Sequence, residues 1–299
     1  EHKLVNIGSG KFLLFGGRDS EGAFLNDTWI YDFNDNSWTE KTFFVQPPGR
    51  EYFGMCYNQQ DEKVYLFGGA GSTEYYNDLW TYDVNADSWS PVTTAGSFPI
   101  ARFGHGMTYD SKNNCILVFG GKDGGWNLLD DLWIYYPETN SWQEPPLPAE
   151  CPGHRTNFGF VYLPTIDRTL LFGGVDWWGI DDETWLYDLN SNLWTTALPE
   201  IIPPARERMQ MIVGPNSIPY IFGGYIGGSE KVLGDVWKYI VSSSGSFVSS
   251  DIFVPFDTTL NWGTLSAPGL TVPSSTTCKF QIAHFEDGAG WDVFRGIDG

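Results

Sequence analysis

Four cysteines, four histidines and four methionines are spread over 299 residues, and each scarcity removes a class of chemistry. No CxxC or CxxH spacing occurs, so the sequence carries no zinc or haem signature. Cys56, Cys115, Cys151 and Cys278 are too irregularly spaced to select disulfide partners. Basic residues are scarce as well: 17 face 37 acids, for a net charge of −20. Such a chain repels DNA and anionic lipid, which excludes nucleic-acid binding and fits solubility outside or at the surface of a cell. No run is long and apolar enough for a transmembrane helix, so membrane insertion is not expected, and there is no signal peptide. The chain opens at EHKLVNI, as it would if a leader had been removed.

What is abundant points to strands. Aromatic residues make up 17% of the chain, glycine numbers 35 and proline 18, and no long stretch spaces apolar residues as a helix does. A repeat organises this material. FLLFGG at 12–17 recurs as VYLFGG (64–69), ILVFGG (116–121), TLLFGG (169–174) and PYIFGG (219–224), with first glycines 52, 52, 53 and 50 residues apart. Each is followed by DTWIYD (27–32), DLWTYD (78–83), DLWIYY (131–136), ETWLYD (183–188) or DVWKYI (235–240). Trp38, Trp89, Trp142 and Trp194 stand seven residues after the tyrosine, and Phe247 holds the expected tryptophan place in the fifth copy. Arg50, Arg102 and Arg155 lie 18 residues before a diglycine, and Arg206 lies 17 before.

Each copy offers four short strand candidates, in the third copy GHGMTY, CILVFG, LWIYY and SWQEP. An antiparallel sheet that is apolar on both faces must be covered on both. Packing such sheets radially does this and leaves only short, protected edges. The diglycine permits positive φ and close backbone approach. FNDNS, VNADS, PETNS and LNSNL supply the turns between third and fourth strands. These marks are similar to those of the Kelch repeat, and residues 1 to about 245 resemble that family. The resemblance implies an all-β fold: a Kelch-type β-propeller with five recognisable repeats, taken here as residues 1–244. Five units can close a small ring. Because Kelch propellers more often have six or seven blades, repeats upstream of this chain are the alternative.

The stretch VSSSGSFVSS (241–250) reads as a linker. Beyond it DIFVPF, WGTLSAPGL, TTCKFQIAHFE and GWDVFRG carry no diglycine and resemble the opening strands of β-sandwich modules on large secreted surface proteins. A partial β-sandwich-like module is therefore expected over 245–299, with a degenerate sixth blade as the rival.

Catalysis finds little support. His105, in FGHGM, falls on a first strand and reads as structural; His154 sits in a Pro-rich connection, while His2 and His284 lie near the ends. Kelch-type copper-radical oxidases need two tyrosine and two histidine ligands with a crosslinked cysteine, and no such set is present. GxSxG, HExxH, a phosphate-cradling loop, the SxDxGxTW boxes of sialidase-type propellers and a DxDxDG calcium loop are all missing. No enzyme activity, cofactor or metal site is expected. Asp27, Asp78, Asp131, Glu183 and Asp235, each two residues before the repeat tryptophan, are expected to cap backbone N–H groups entering the third strand. Asp32, Asp83 and Asp188 read as structural too.

The connections between second and third strands hold what the repeat leaves over. Phe24-Leu25, Tyr75-Tyr76, Leu128-Leu129 and Val232-Leu233 recur before the acid and read as packing. Trp126, Trp177, Trp178 and Tyr225 do not recur. They share one end of the propeller with the blade-to-blade loops. Leaving a large aromatic exposed forfeits roughly 1.5–3 kcal/mol of burial. Stacking on a sugar or anchoring a partner is the reading, and lids folded over a neighbouring blade are the alternative. The expected function is a non-catalytic binding or assembly module, secreted or at the cell surface. Its ligand, a glycan or a protein, is held by Trp126, Trp177, Trp178 and Tyr225, with Asp123, Asp176, Asp181 and Asp182 as polar partners. The other reading is a structural subunit of a surface assembly or filament, self-assembling by strand addition through the C-terminal module. A propeller oxidase or glycan-active enzyme is least favoured.

Overall fold

Every repeat folds into a four-stranded antiparallel meander, and five of these form the blades of a propeller. The computed structural model describes residues 2–199, 202–214, 217–227, 232–241 and 247–252, with the short pair 281–282 and 294–295. Blade 1 comprises β1 (Lys3–Gly8), β2 (Lys11–Arg18), β3 (Phe24–Asp32) and β4 (Ser37–Lys41). Blade 2 comprises β5 (Gly54–Asn58), β6 (Lys63–Phe67), β7 (Leu79–Asp83) and β8 (Ser88–Val92). Blade 3 holds β9 (Gly106–Asp110), β10 (Cys115–Lys122), β11 (Leu128–Tyr136) and β12 (Ser141–Gln143). Blade 4 holds β13 (Gly159–Leu163), β14 (Arg168–Phe172), β15 (Thr184–Asp188) and β16 (Leu193–Ala197). Blade 5 holds β17 (Gln210–Val213), β18 (Pro219–Tyr225), β19 (Val232–Val241) and β20 (Phe247–Ile252). The first strand of each blade faces a central channel of about 570 Å³.

Burial explains the repeat marks. Ile116, Leu117, Val118 and Phe119 are all fully buried, because each second strand lies between two neighbouring sheets. The repeat tryptophans wedge into the preceding blade: Trp89 against Phe15 at 5.2 Å, Trp142 against Phe67 at 5.1 Å and Trp194 against Phe119 at 5.0 Å. The repeat tyrosines reach the turn between third and fourth strands. Their hydroxyls donate to Asn36, Asp87, Asn140 and Asn192, all in left-handed backbone. Asp32, Asp83 and Asp188 accept backbone N–H groups in those same turns, a structural role as expected.

The acids before the tryptophan behave differently from the expectation. They do not cap the third strand. Asp78, Asp131 and Asp235 each take a bidentate guanidinium from the arginine that enters the same blade, at 2.6–2.8 Å. In blade 4, Arg155 reaches Glu183 at 2.9 Å and Asp181 at 3.7 Å. The same carboxylates accept the indole N–H two residues on, at 2.6–2.8 Å. Each arginine also donates to the carbonyl of the first repeat glycine. These guanidiniums are buried, and only a charged partner offsets the cost of placing them there.

The junction between the last and first blades is more open than the others. Trp38 is 49% exposed, whereas Trp89, Trp142 and Trp194 are 3–8% exposed. Phe222 is 39% exposed, against 0–2% for Phe15, Phe67, Phe119 and Phe172. Residues 247–252, placed beyond the propeller by the sequence reading, pair with β19 as the fourth strand of blade 5. Ser249, not Phe247, stands opposite Tyr239, ten residues on, whereas the repeat tryptophans stand opposite their tyrosines seven residues on. The rest of the expected β-sandwich-like module lies outside the described residues, apart from the two short segments above.

Candidate ligand-binding face

The connections between second and third strands sit at one end of the propeller with the segments that enter each blade. Isolated bridges tie the two together: Glu51 with Ala70, Phe103 with Lys122, Thr156 with Val175 and Glu207 with Tyr225. At the centre of this face the channel opens. Tyr52, Gly104, Asn157 and Arg208, each two residues after a repeat arginine, share left-handed φ values of 56–64°. Their backbones join round the axis: Gly104 N–H donates to Tyr52 O, Asn157 N–H to Gly104 O and Arg208 N–H to Asn157 O, at 2.8–2.9 Å. The Arg208 guanidinium lies 5.6 Å from the centre of the Tyr52 ring.

Charge at the mouth is opposite to that of the whole chain. Lys3 and Arg208 line it with His2, whose pKa burial lowers so that it adds no charge near neutrality. Among the described residues no carboxylate lines it; Glu207 just behind accepts from Asn157 at 2.9 Å and pairs with Arg208 at 3.5 Å. Below the mouth, His105 is buried against Phe67. Burial first, and the Arg102 charge second, hold its pKa well below the usual value, so it is neutral and structural.

None of the three tryptophans is a buried lid. Trp126 is 62% exposed, Trp177 63% and Trp178 95%. Trp126 adopts φ +67° and stands edge-on to Phe103 at 5.4 Å, with Lys122 over its face at 5.4 Å. Phe103 also stacks on Tyr75 at 5.2 Å and meets Tyr52 at 6.2 Å. Trp126 thus ends an aromatic band running from the channel mouth across blades 2 and 3. Trp177 and Trp178 belong to the blade 4 loop, and no ring contact joins them to Trp126. Tyr225 is half-buried at the end of β18, its backbone bridged to Glu207.

The acids named as polar partners are largely committed to their own turns. Asp123 accepts the N–H groups of Gly125 and Asn127 and the Asn127 side chain. That side-chain bond, more than any other influence, lowers its pKa. Asp176 accepts from the N–H groups of Trp178 and Gly179, and Asp181 from those of Asp182 and Glu183. Burial raises the pKa of Asp181, and the Glu183 charge adds to that. Asp182 is exposed. Asp123, Asp176 and Asp181 are therefore turn-formers rather than a ready set of ligand acceptors.

Tyr52, Phe103, Tyr75 and Arg208 were not selected from the sequence. The signal was there: against a repeating frame, the position two past the arginine changes from Tyr to Gly, Asn and Arg. Tyr75 recurs as one of an apolar pair, and its partner Tyr76 does pack, under the Arg50 guanidinium at 4.0 Å. Among the described residues no group of three His, Cys, Asp or Glu side chains could hold a metal ion. Cys56, Cys115 and Cys151 are free thiols, and burial raises the pKa of the first two.

Comparison with known proteins agrees with this architecture. The chain is 26% identical over 243 residues to the dynein alpha chain of the flagellar outer arm of Chlamydomonas reinhardtii, covering 75% of this chain and 5% of that one. It is 31% identical over 140 residues to the Rho GTPase-activating protein gacHH of Dictyostelium discoideum, covering 45% and 9%. It is 33% identical over 150 residues to the tip elongation aberrant protein 1 of Schizosaccharomyces pombe, covering 47% and 12%. The chain therefore spans only a small part of these relatives. Residues 1–109 and 83–245 match the model of the KLHDC2/KLHL20/DRC7 Kelch-repeats domain, a family consistent with a non-catalytic domain. Five diglycine blades and that match together make this chain a member of the KLHDC2/KLHL20/DRC7 Kelch-repeats domain family.

Proposed function

We propose that this propeller is a non-catalytic binding module whose ligand is another protein, docked on the face that holds the channel mouth and Trp126, with Trp177 and Trp178 at its rim. The observation that carries the reading is the mouth itself. Four copies of one backbone conformation present Tyr52, Gly104, Asn157 and Arg208, so a constant scaffold displays varied chemistry. The aromatic band beside it offers rigid contact area of the kind that anchors protein interfaces. A glycan needs several free acceptors next to its stacking ring, and three of the four acids near these tryptophans are engaged in turns. In relatives such as the dynein chain and the Rho GTPase-activating protein, the matched region is a small part of a longer chain, which suits a docking module. Among the described residues no helix is long and apolar enough to cross a membrane.

The test begins with a partner identified by proximity labelling and then purified. Trp126→Ala and Arg208→Ala are each expected to weaken its binding about tenfold or more, with thermal unfolding unchanged. Unaltered affinity in both variants sinks the reading. Glycan-array binding that disappears in Trp177→Ala/Trp178→Ala transfers the site to a sugar. The excess of acids over bases supports the reading of a protein outside the cell or at its surface. Native protein confined to a cytosolic fraction overturns that placement.

A further inference from the structure

Asn26, Asp27 and Thr28 form the one place in the chain where an asparagine stands two residues before a serine or threonine. With a residue other than proline between them, that spacing is the acceptor signal for an N-linked glycan. The fold leaves the amide free to carry one. Asn26 is exposed near the start of β3, at the end of the propeller that bears the channel mouth. Asp130 holds the same place in blade 3 and meets His154 at 3.4 Å, but in blade 1 the counterpart of His154 is Gly49, which has no side chain to offer. The Asn26 side chain makes no hydrogen bond among the described residues, whereas those of Asn34, Asn85, Asn140 and Asn192 each bond to a neighbouring loop. Asn77, exposed at the same place in blade 2, is a built-in control: it too precedes the repeat acid, but Leu79 follows where blade 1 has Thr28.

Thr28 shows when the sugar must be added. It is fully buried, and its hydroxyl accepts the Trp89 indole N–H at 3.1 Å across the junction with blade 2. The acceptor signal needs that hydroxyl, so it is legible only before blade 2 packs on blade 1. The finished fold hides Thr28 and leaves Asn26 outside. We propose that Asn26 carries an N-linked glycan, added while the chain is still unfolded. The proposal rests on the extracellular reading above, because the donor, a lipid-pyrophosphate-linked oligosaccharide, is met on the secretory route. Asn26 Nδ2 bonds to the anomeric carbon of that oligosaccharide, and the bond from this carbon to the pyrophosphate oxygen breaks. The lipid pyrophosphate leaves, and the amide gives up one proton. In the folded chain the glycan stands on blade 1, outside the aromatic band of blades 2 and 3.

Native protein, fractionated from its source and digested with trypsin, tests this by mass spectrometry before and after peptide N-glycosidase. Asn26 falls in peptide 19–41 and Asn77 in peptide 64–102, so acceptor and control separate. Peptide 19–41 is expected to carry the glycan and, after its release, to show aspartate at position 26 on fragmentation. Peptide 64–102 is expected to be bare. Thr28→Ser is expected to keep the glycan and Thr28→Val to lose nearly all of it. Protein recovered outside the cell or at its surface with Asn26 unmodified overturns the proposal and leaves the extracellular reading standing. Protein confined to the cytosol with Asn26 unmodified overturns both. A glycan on peptide 19–41 that persists in Asn26→Gln also overturns the assignment, and the measurement on native protein needs no variant to fold.

Discussion

Arg102 shows how much one repeated side chain supports. It is fully buried and donates to the Ile100 and Gly120 carbonyls and to both oxygens of Asp131. Arg102→Ala leaves the partly buried Asp131 and two carbonyls without this donor. Breaking a buried pair from one side costs about 3–5 kcal/mol, so a loss of that size is expected in urea unfolding. The paired change Arg102→Met/Asp131→Leu is expected to recover part of it. Proton linkage gives a second readout at the same residue. Burial alone raises the Asp131 pKa, but hydrogen bonds from Arg102 and Trp133, with the Arg102 charge, outweigh it and leave the value lowered. A carboxylate lowered in the folded state contributes stability that is present above its unfolded value, about 3.9, and is lost as pH falls through the folded value. The stability gap between the native chain and Asp131→Asn is therefore expected to be constant above about pH 5 and to shrink below about pH 4. A gap that stays constant down to pH 2 contradicts the assignment.

At the level of the blade, strand positions were legible because the marks are local. A buried second strand writes itself as four apolar residues and two glycines, and each glycine has a steric reason. Gly68 has φ +67°, and a Cβ there would lie 2.7 Å from the Arg102 carbonyl oxygen. Gly68→Ala is expected to cost at least about 2 kcal/mol, from left-handed strain plus that clash, measured by chemical unfolding. A neutral substitution would mean that the blade-to-blade segment is free to move away. The arginine–acid pairs were not legible, although both members were marked. Nothing local joins residues 28 or 29 apart, and an acid near a strand start has a nearer candidate in the backbone N–H groups. The face was half legible for the same kind of reason. Trp126, Trp177 and Trp178 stand out as departures from the repeat and are exposed. Asp123, Asp176 and Asp181 looked available because a sequence does not show that an acid has turned onto its own loop. Tyr52 and Arg208 hid inside a position whose backbone repeats while its side chain does not.

Across the whole molecule the charge distribution has two scales. The chain carries 37 acids against 17 bases, while the arginine–acid pairs neutralise themselves within blades 2 to 5 and the channel mouth is lined by Lys3 and Arg208. Exposed blade-to-blade pairs such as Lys41–Asp87 and Lys112–Asp167 are few, and pairs of this kind contribute little. Repulsion between unpaired surface acids is therefore the long-range term that salt can reach. Raising ionic strength from about 0.01 M to 0.1 M shortens the screening length from roughly 30 Å to 10 Å. That change weakens repulsion between blades and leaves the buried pairs almost untouched. The midpoint of thermal unfolding is expected to rise by a few degrees over this range in sodium chloride. A fall would mean that exposed attractive pairs, not net charge, dominate the surface. Arg102→Ala is expected to show the same salt-dependent rise from a lower starting point, because the pair it breaks lies inside the blade.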